Sequence, residues 1–220
     1  MSLKSRTWDR MYRKGEPSWE RGGPDPGLTT ALDARGIRDP GHALDLGCGT
    51  GDNAITLAQR GFEVTALDIG EVPLVRARAK AAAEEVPVRF LRADVTRLDG
   101  AEGLAGPFDF VVDCGLLMSV PGERGRRAYT AALERLTSAG SHVYQHQWEL
   151  PEPPSGPSAT ALLARWGAVV LTPGELEGRF STAFSVETLE RVVTSVDDPG
   201  MRRLGLREVA MVSYWLTRRA

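Results

Sequence analysis

The chain has 220 residues, with 27 Lys and Arg against 29 Asp and Glu and a net charge of -2. Because acids and bases are balanced and interspersed, the composition carries no electrostatic footprint for nucleic acid or for an anionic membrane. Two cysteines are too few for a disulfide framework or a zinc cluster, so we expect no metal and a reducing, cytoplasmic location.

The length predicts a single domain over residues 1–220 that is large enough to bury a core. No apolar run reaches the ~18 residues that a transmembrane helix needs. Residues 1–6 lead into a polar segment, which is not typical of a signal peptide. We therefore expect no membrane partner.

The first 28 residues are rich in aromatic side chains. Residues 3–14 read as a short helix, and the Gly and Pro residues of 15–27 preclude regular structure. Trp8, Tyr12 and Trp19 lie in or beside this segment, where they either pin a loop to the core or form a lid over a ligand. A helix over 27–36 follows, ended by a glycine cap.

A glycine-rich turn follows the first predicted strand, residues 42–46, and precedes a helix over 52–60. Glycines at 47, 49 and 51 allow the backbone to bend sharply and a ligand to approach it closely. The next strand, 62–67, ends at Asp68, a position that reaches ribose hydroxyls in strand–turn–helix folds. The pattern predicts a nucleoside-containing cofactor across the tips of neighbouring parallel strands.

The acids beside the turn indicate which cofactor it is. A dinucleotide pattern, Gly-x-Gly-x-x-Gly, would have glycine where this chain has Asp52. Carboxylates at Asp45 and Asp52 would repel a pyrophosphate by about 1 kcal/mol or more each at an effective dielectric constant near 20. They suit an ammonium and a sulfonium instead. A nicotinamide dinucleotide and a purely structural turn stay open as alternatives.

The pattern Asp45-x-Gly47-x-Gly49-x-Gly51 resembles the signature of class I S-adenosylmethionine-dependent methyltransferases. The resemblance implies an α/β fold, a doubly wound Rossmann-like sandwich with a seven-stranded, mainly parallel sheet in the order 3-2-1-4-5-7-6. It implies S-adenosylmethionine as the cofactor. We assign cofactor contacts to the turn, to the strand ends beside it and to the lid: Trp19, Asp45, Gly47, Cys48, Gly49, Gly51, Asn53, Asp68, Ile69, Asp94, Val95, Asp113 and Cys114.

The N-terminal segment is similar to the cover of one methyltransferase branch, which includes the thiopurine, halide/thiol and tellurite-resistance enzymes. The motifs are Trp8-x-x-x-Tyr12-x-x-Gly15, Pro17-x-Trp19 and Pro24-x-Pro26. By this resemblance Trp8 and Tyr12 border the acceptor pocket and Trp19 borders the cofactor.

Two further acids follow predicted strands. A helix over 71–84 and a strand over 86–92 lead to Asp94, which in the family pairs with the adenine amino group; alternatively it caps a helix over 96–104. After the strand 108–113, Asp113 and Cys114 fall beside the cofactor's methionine portion in the family. Asp113 alternatively caps the next turn, and Cys114 is expected to be inert rather than a nucleophile.

The strand predicted over 141–149, after a helix over 122–137, is unusually polar. His142, Tyr144, His146 and Trp148 alternate onto one face, where the family usually has an apolar run. Buried polar groups need partners, which predicts a polar pocket at the C-terminal end of the strand. There His146 would orient or deprotonate the acceptor and Trp148 would line its pocket. A histidine satisfied by its neighbours is the alternative.

The remaining chain is expected to build the acceptor side. Residues 150–172 form a loop and insertion with a short helix over 158–166, and Trp166 would line the pocket. A helix over 173–180, capped by Thr172, precedes an antiparallel hairpin of residues 184–196 and 207–218.

We therefore expect methyl transfer to sulfur, nitrogen or oxygen of a small molecule. The sequence does not specify the acceptor, and a homodimer stays open. The alternatives are an S-adenosylmethionine-binding enzyme with other chemistry, such as a cyclisation, a non-catalytic cofactor-binding partner, and an NAD(P)-dependent oxidoreductase.

Overall fold

A computed structural model describes residues 3–15, 17, 19–37, 40–98, 104, 106–150, 171–197, 202 and 206–220. The loop predicted over 151–157, the helix predicted over 158–166 and Trp166 lie outside these residues. The helices of the described part are α1 Leu3–Arg13, α2 Pro26–Arg35, α3 Asp52–Gln59, α4 Glu71–Ala83, α5 Gly122–Leu136 and α6 Glu175–Phe180. None of them is long and apolar enough to cross a bilayer.

The described strands form one seven-stranded sheet in the order β3-β2-β1-β4-β5-β7-β6, as predicted. They are β1 His42–Leu46, β2 Glu63–Asp68, β3 Val88–Arg92, β4 Phe108–Cys114, β5 Thr137–Glu149, β6 Phe184–Ser195 and β7 Glu208–Arg218. The first five strands pair in parallel. Strand β7 is antiparallel to both β5 and β6. The hairpin of the last two strands therefore inserts its second strand beside β5.

Helices cover both faces of the sheet, because successive side chains of a strand point to opposite sides. On β4, Phe110 and Val112 pack with the residues of α2 and α3, such as Leu28 and Leu57. Val111 packs on the opposite face with residues of α5 and α6. These two cores hold the ends of the parallel strands at one common edge.

Three details of the predicted elements were wrong. Where a helix was predicted over 96–104, Val95–Arg97 form a 3-10 turn and Leu98 is not helical; residues 99–103 lie outside the described part of the chain. Strand β5 begins at Thr137 rather than at residue 141, because a register shift opposite β4 accommodates the extra residues. Helix α6 begins at Glu175 rather than at residue 173. Gly174, just before it, has a left-handed backbone, and Glu175 N–H donates to the Thr172 carbonyl, so a turn precedes the helix.

A buried carboxylate holds the turn after β4. The oxygens of Asp113 accept hydrogen bonds from Leu116 N at 2.6 Å, Leu117 N at 3.1 Å and Tyr129 Oη at 2.6 Å. Gln145 Nε2 donates in turn to Tyr129 Oη at 3.0 Å. Burial raises the pKa of Asp113 to about 6, against the effect of these donors. Asp113 therefore caps the turn, the alternative considered for it.

Tyr129→Phe tests the weight of this polar cluster. The change leaves Asp113 with one donor fewer and Gln145 Nε2 without its acceptor, so we expect the free energy of unfolding to fall by about 1–3 kcal/mol. Thr130→Ala is the control, because it removes a hydroxyl whose bond goes to a helical carbonyl of α5. Denaturant unfolding measures both, and equal losses would contradict the role given to the cluster.

Candidate active site

A cavity of about 790 Å³ opens at the C-terminal edge of the parallel strands, below α1 and the loop that follows it. Most of the predicted site residues line it: Trp8, Tyr12, Trp19, Gly47, Cys48, Gly49, Asn53, Asp68, Ile69, Asp94, Val95, Cys114, His146 and Trp148. Asp45, Gly51 and Asp113 do not line it. Asp113 serves the turn described above, and the other two lie in the strand and turn beneath the cavity.

Three glycines in left-handed conformation make the turn between β1 and α3, with φ of 71° at Gly47, 54° at Gly49 and 87° at Gly51. A Cβ at Gly49 would lie 2.8 Å from Tyr12 Oη, and one at Gly51 would lie 3.0 Å from the Cβ of Ala77. Both conformation and space therefore require glycine. The amides of residues 47 and 48 donate to the Leu67 carbonyl at 2.8 and 3.0 Å, which ties the turn to β2.

Asp68 closes β2 with its carboxylate at the cavity. One oxygen accepts from Gly49 N at 3.1 Å and the other from Gly70 N at 2.7 Å. Burial raises the pKa of Asp68 to about 6, against the effect of these two amides. The side chain is thus fixed between the glycine turn and the start of α4, with lone pairs left for a ligand hydroxyl.

Asp45 is almost fully buried at 1% exposure, and its Oδ2 has no hydrogen-bond partner among the described residues. Burial, followed by repulsion from Asp113, raises the pKa of Asp45 to about 8. An orphaned carboxylate oxygen beneath a glycine cradle fits a cationic cofactor, because a nearby positive charge favours ionisation. The cradle, Asp45 and Asp68 together fit a nucleoside with an attached ammonium.

Asp52 does not supply the free charge that the sequence argument gave it. Lys80 Nζ lies 2.8 Å from one of its oxygens and 3.0 Å from the other. The ion pair offsets the repulsion expected between Asp52 and a pyrophosphate. Lys80 lies 28 residues further along the chain, so local spacing did not reveal the pairing. The electrostatic case against a dinucleotide therefore rests on the other carboxylates.

One of those carboxylates, Glu20, was missed by the sequence analysis. Its side chain accepts from Tyr12 Oη at 2.8 Å and from the Thr50 hydroxyl of the glycine turn. Trp19 Nε1 donates to Tyr12 Oη at 3.2 Å, and the Trp19 ring meets Trp8 edge-on with centroids 5.7 Å apart. The aromatic segment is therefore hydrogen-bonded to the turn it covers. An acid inside an irregular loop gives no periodic signal that would have marked it.

Asp94 and Cys114 complete the cofactor side. Asp94 Oδ1 accepts from Thr96 N at 2.9 Å and from its hydroxyl at 2.7 Å, so Asp94 caps the 3-10 turn while it lines the cavity. Burial raises the pKa of the Cys114 thiol well above its usual value. A thiol kept protonated is a poor nucleophile, as expected of an inert residue.

His146 stands at the acceptor side, near the C-terminal end of β5. Its Nδ1 lies 3.0 Å from Ser213 Oγ of β7, and its buried Nε2 has no hydrogen-bond partner in the described part of the chain. Burial lowers the pKa of His146, and the Asp25 carboxylate opposes this effect. The imidazole is therefore neutral at pH 7, the form that accepts a proton.

The wall beyond His146 is apolar. Leu116, Met118 and Val120 come from the turn after β4, and Leu150 follows β5. The hairpin side supplies Val196, Leu206 and Val209. The cavity therefore has a polar end at the glycine turn and an apolar end beside the histidine.

The chain is similar in sequence to known methyltransferases. The family described as "Methyltransferase domain" matches residues 43–140. An uncharacterized methyltransferase of Schizosaccharomyces pombe, C750.03c, is 33% identical over 103 residues, which are 47% of this chain and 68% of that protein. The Bacillus subtilis protein YqeM, also named as a methyltransferase, is 42% identical over 78 residues. The chain spans only 30% of the length of YqeM.

Other similar proteins match a larger share of this chain, beyond residues 43–140. The 2-heptyl-1-hydroxyquinolin-4(1H)-one methyltransferase of Mycobacteroides abscessus is 26% identical over 170 residues, 73% of each chain. A solved structure from work on the conversion of a disulfide bond into a thioacetal group during echinomycin biosynthesis is 26% identical, with a TM-score of 0.69 over 98% of this chain and 93% of that one. The N-methyltransferase NodS from Bradyrhizobium japonicum, solved with S-adenosyl-L-homocysteine, shares the fold at 15% identity, with a TM-score of 0.68 over 98% of this chain and 99% of NodS.

The ionisation of Asp45 and Asp68 predicts how cofactor affinity depends on pH. Both pKa values are raised, to about 8 and about 6, so the carboxylates gain charge as the pH rises through these values. We expect the Kd of S-adenosylhomocysteine, which carries an ammonium, to fall up to ~10-fold between about pH 6 and pH 8.5. Calorimetric titration measures this change.

The matched pair Asp45→Asn and Asp52→Asn locates the effect. Asp45→Asn is expected to flatten the upper part of the pH dependence, whereas Asp52→Asn, whose carboxylate is paired with Lys80, leaves it in place. A pH-independent affinity of the unmodified protein would contradict the electrostatic role of the buried acids.

Proposed function

Because the chain belongs to the class I S-adenosylmethionine-dependent methyltransferases, we propose that it transfers a methyl group to a heteroatom of a small, largely apolar molecule. We take this acceptor to be a flat ring that carries an acidic hydroxyl. The proposal includes a cytoplasmic location and no nucleic-acid or membrane partner, and it is independent of whether the chain forms a homodimer.

The apolar wall beside the glycine turn is the observation that carries the proposal. A cavity of about 790 Å³ lies in the upper part of the ~300–1,000 Å³ range of ligand sites, which leaves room for a second molecule beside the cofactor. Trp19 and Trp148 line it while 42% and 40% exposed. Such half-exposed rings offer flat apolar surfaces to a flat acceptor.

Each part of the site has a task in this reaction. When bound at the glycine turn, S-adenosylmethionine supplies a methyl carbon on a sulfonium and leaves as S-adenosylhomocysteine. The apolar wall and the aromatic lid hold the acceptor in one orientation and exclude water, which accounts for most of the rate gain in a displacement between two bound molecules. His146 Nε2 accepts the proton that the acceptor hydroxyl loses.

Two relatives support the choice of acceptor. The M. abscessus enzyme is named for a molecule that combines an alkyl chain with a hydroxylated heteroaromatic ring, and its match covers 73% of each chain. The structure from echinomycin biosynthesis concerns sulfur chemistry. Sulfur is also favoured by the resemblance of the N-terminal lid to the thiopurine, halide/thiol and tellurite-resistance branch. A soft thiolate needs no base, so His146 Nε2, which has no hydrogen-bond partner among the described residues, favours the hydroxyl.

The acceptor assay separates these chemistries. The purified chain is incubated with S-adenosylmethionine and a panel of hydroxyquinolones, phenols, aromatic thiols and amines, and S-adenosylhomocysteine is quantified. We expect its formation with flat hydroxylated rings, and a His146→Gln variant that loses ~100-fold or more in kcat with them because the base is absent. The same variant should keep its rate with a thiol acceptor, which arrives as a thiolate.

If no acceptor in the panel leads to formation of S-adenosylhomocysteine, the proposed acceptor class is contradicted. Undiminished turnover of a hydroxyl acceptor by His146→Gln would remove the base from the mechanism and leave the methyl transfer itself standing.

A further inference from the structure

We propose, on the basis of the function proposed above, that Asp25 is a positioning residue for His146. Through Tyr144 and Ser213 it fixes the tautomer in which Nδ1 carries the proton and Nε2 carries none, on a residue that lines the cavity.

A continuous chain of hydrogen-bonding atoms joins the two residues. Tyr144 Oη lies 2.6 Å from Asp25 Oδ1 and 3.1 Å from Ser213 Oγ. Ser213 Oγ lies 3.0 Å from His146 Nδ1. The sheet produces the arrangement, because His146 and Ser213 are direct partners across β5 and β7 and Tyr144 lies two residues earlier on the same face. Asp25, Tyr144 and Ser213 are buried, and His146 is partly exposed.

The Asp25 carboxylate determines which group donates and which accepts in each hydrogen bond between Asp25 and His146. An ionised carboxylate only accepts, so the single Tyr144 proton goes to Asp25. The Tyr144 oxygen is then an acceptor and takes the Ser213 proton, and Ser213 in turn is left to accept. His146 Nδ1 must therefore donate to Ser213, which leaves a lone pair on Nε2. Any other assignment leaves one of the three contacts without a proton.

A second histidine on the same face offers an internal contrast. Trp215 Nε1, which only donates, lies 3.2 Å from His142 Nδ1. His142 Nδ1 must therefore accept, and its proton resides on Nε2. The two histidines of one strand are thus set in opposite tautomers by their neighbours.

Asp25 also joins the base to the cofactor side. Its Oδ1 accepts from Leu28 N at 3.1 Å and so caps α2. Its backbone N–H donates to Asn53 Oδ1, in the first turn of α3, at 2.9 Å. The end of the N-terminal lid segment, residues 1–28, is therefore held to α3 by the same residue that orients His146.

The charged groups around His146 set the sign of any pH effect. Asp25 Oδ2 lies 3.9 Å from Nδ1 and raises the pKa of His146, as does Glu190 of β6. Arg21 lowers that pKa, and so does burial, which is the largest effect. The partner of His146 across β4 is Cys114, whose raised pKa keeps it neutral. Removal of the Asp25 charge should therefore lower the pKa of His146 further.

Nitrogen-15 NMR of histidine-labelled protein tests the proposal without cofactor or acceptor. The chain has three histidines, and loss of one signal set in His146→Gln assigns His146. We expect the Nδ1–H tautomer at His146 and the Nε2–H tautomer at His142. An Nε2–H tautomer at His146 in the unmodified protein would overturn the proposal.

Two variants should reverse the direction of the hydrogen bonds between Asp25 and His146, each at a different residue. In Tyr144→Phe, Ser213 loses its acceptor and turns its proton to Nδ1, so His146 should change to the Nε2–H tautomer. Asp25→Ala should have the same effect, because Tyr144 then donates to Ser213. Asp25→Asn retains an acceptor oxygen and a good helix cap, so the tautomer should stay while the pKa of His146 falls. A tautomer unchanged in both Tyr144→Phe and Asp25→Ala would overturn the proposal.

The matched control is Thr217→Val, which removes the hydroxyl 3.1 Å from His142 Nδ1 and should leave His146 unchanged. Native His142 signals show that the Asp25 and Tyr144 variants are folded. With a hydroxyl acceptor, Tyr144→Phe should lower kcat ~10-fold or more while KM for S-adenosylmethionine stays constant. Predicted tautomers without any methyl transfer would contradict only the proposed function, and methyl transfer with the opposite tautomer would contradict only the role of Asp25.

Discussion

The bend between β1 and α3 is the constraint on which the site depends. Every second residue of this turn has a left-handed backbone conformation: Gly47, Gly49 and Gly51. Without side chains at these positions, the lid tyrosine approaches the turn and α4 packs beneath it. The same bend presents the Gly49 amide to Asp68, which orients that carboxylate at the cavity. A side chain at Gly49 would collide with the lid tyrosine, and one at Gly51 would press against Ala77 of α4.

The topology of the sheet supplies the other half of the site. The C-terminal hairpin inserts β7 beside β5, which places Ser213 opposite His146 although 67 residues separate them. The end of the N-terminal lid segment brings Asp25 to the same point from the other end of the chain. Three distant segments therefore converge on one imidazole, and each is held by the fold rather than by local sequence. Such a base depends on complete assembly of both the sheet and the lid segment.

The sequence predicted what short-range patterns encode. The alternation of predicted strands and helices indicated an α/β fold, and the glycine spacing indicated the turn and a nucleoside-containing cofactor, because these depend on backbone conformation and on apolar periodicity. The sheet order and the methyl-donating cofactor came from the family resemblance. The sequence analysis missed what depends on distant partners. The free charge of Asp52 is offset by Lys80, Glu20 lies in a loop without periodicity, and Asp25 and Ser213 meet His146 only through the fold. The start of the helix predicted over 96–104 was wrong, because Asp94 caps a short 3-10 turn, Val95–Arg97, that ends before Leu98.

A calorimetric comparison of cofactors tests the central claim most directly. The purified chain is titrated with S-adenosylhomocysteine and, separately, with a nicotinamide dinucleotide under the same conditions. The cradle of left-handed glycines above an orphaned carboxylate predicts saturable one-site binding of S-adenosylhomocysteine, weakened by Gly49→Val, and no measurable heat with the dinucleotide. Tight binding of the dinucleotide, or no binding of S-adenosylhomocysteine, would contradict the account.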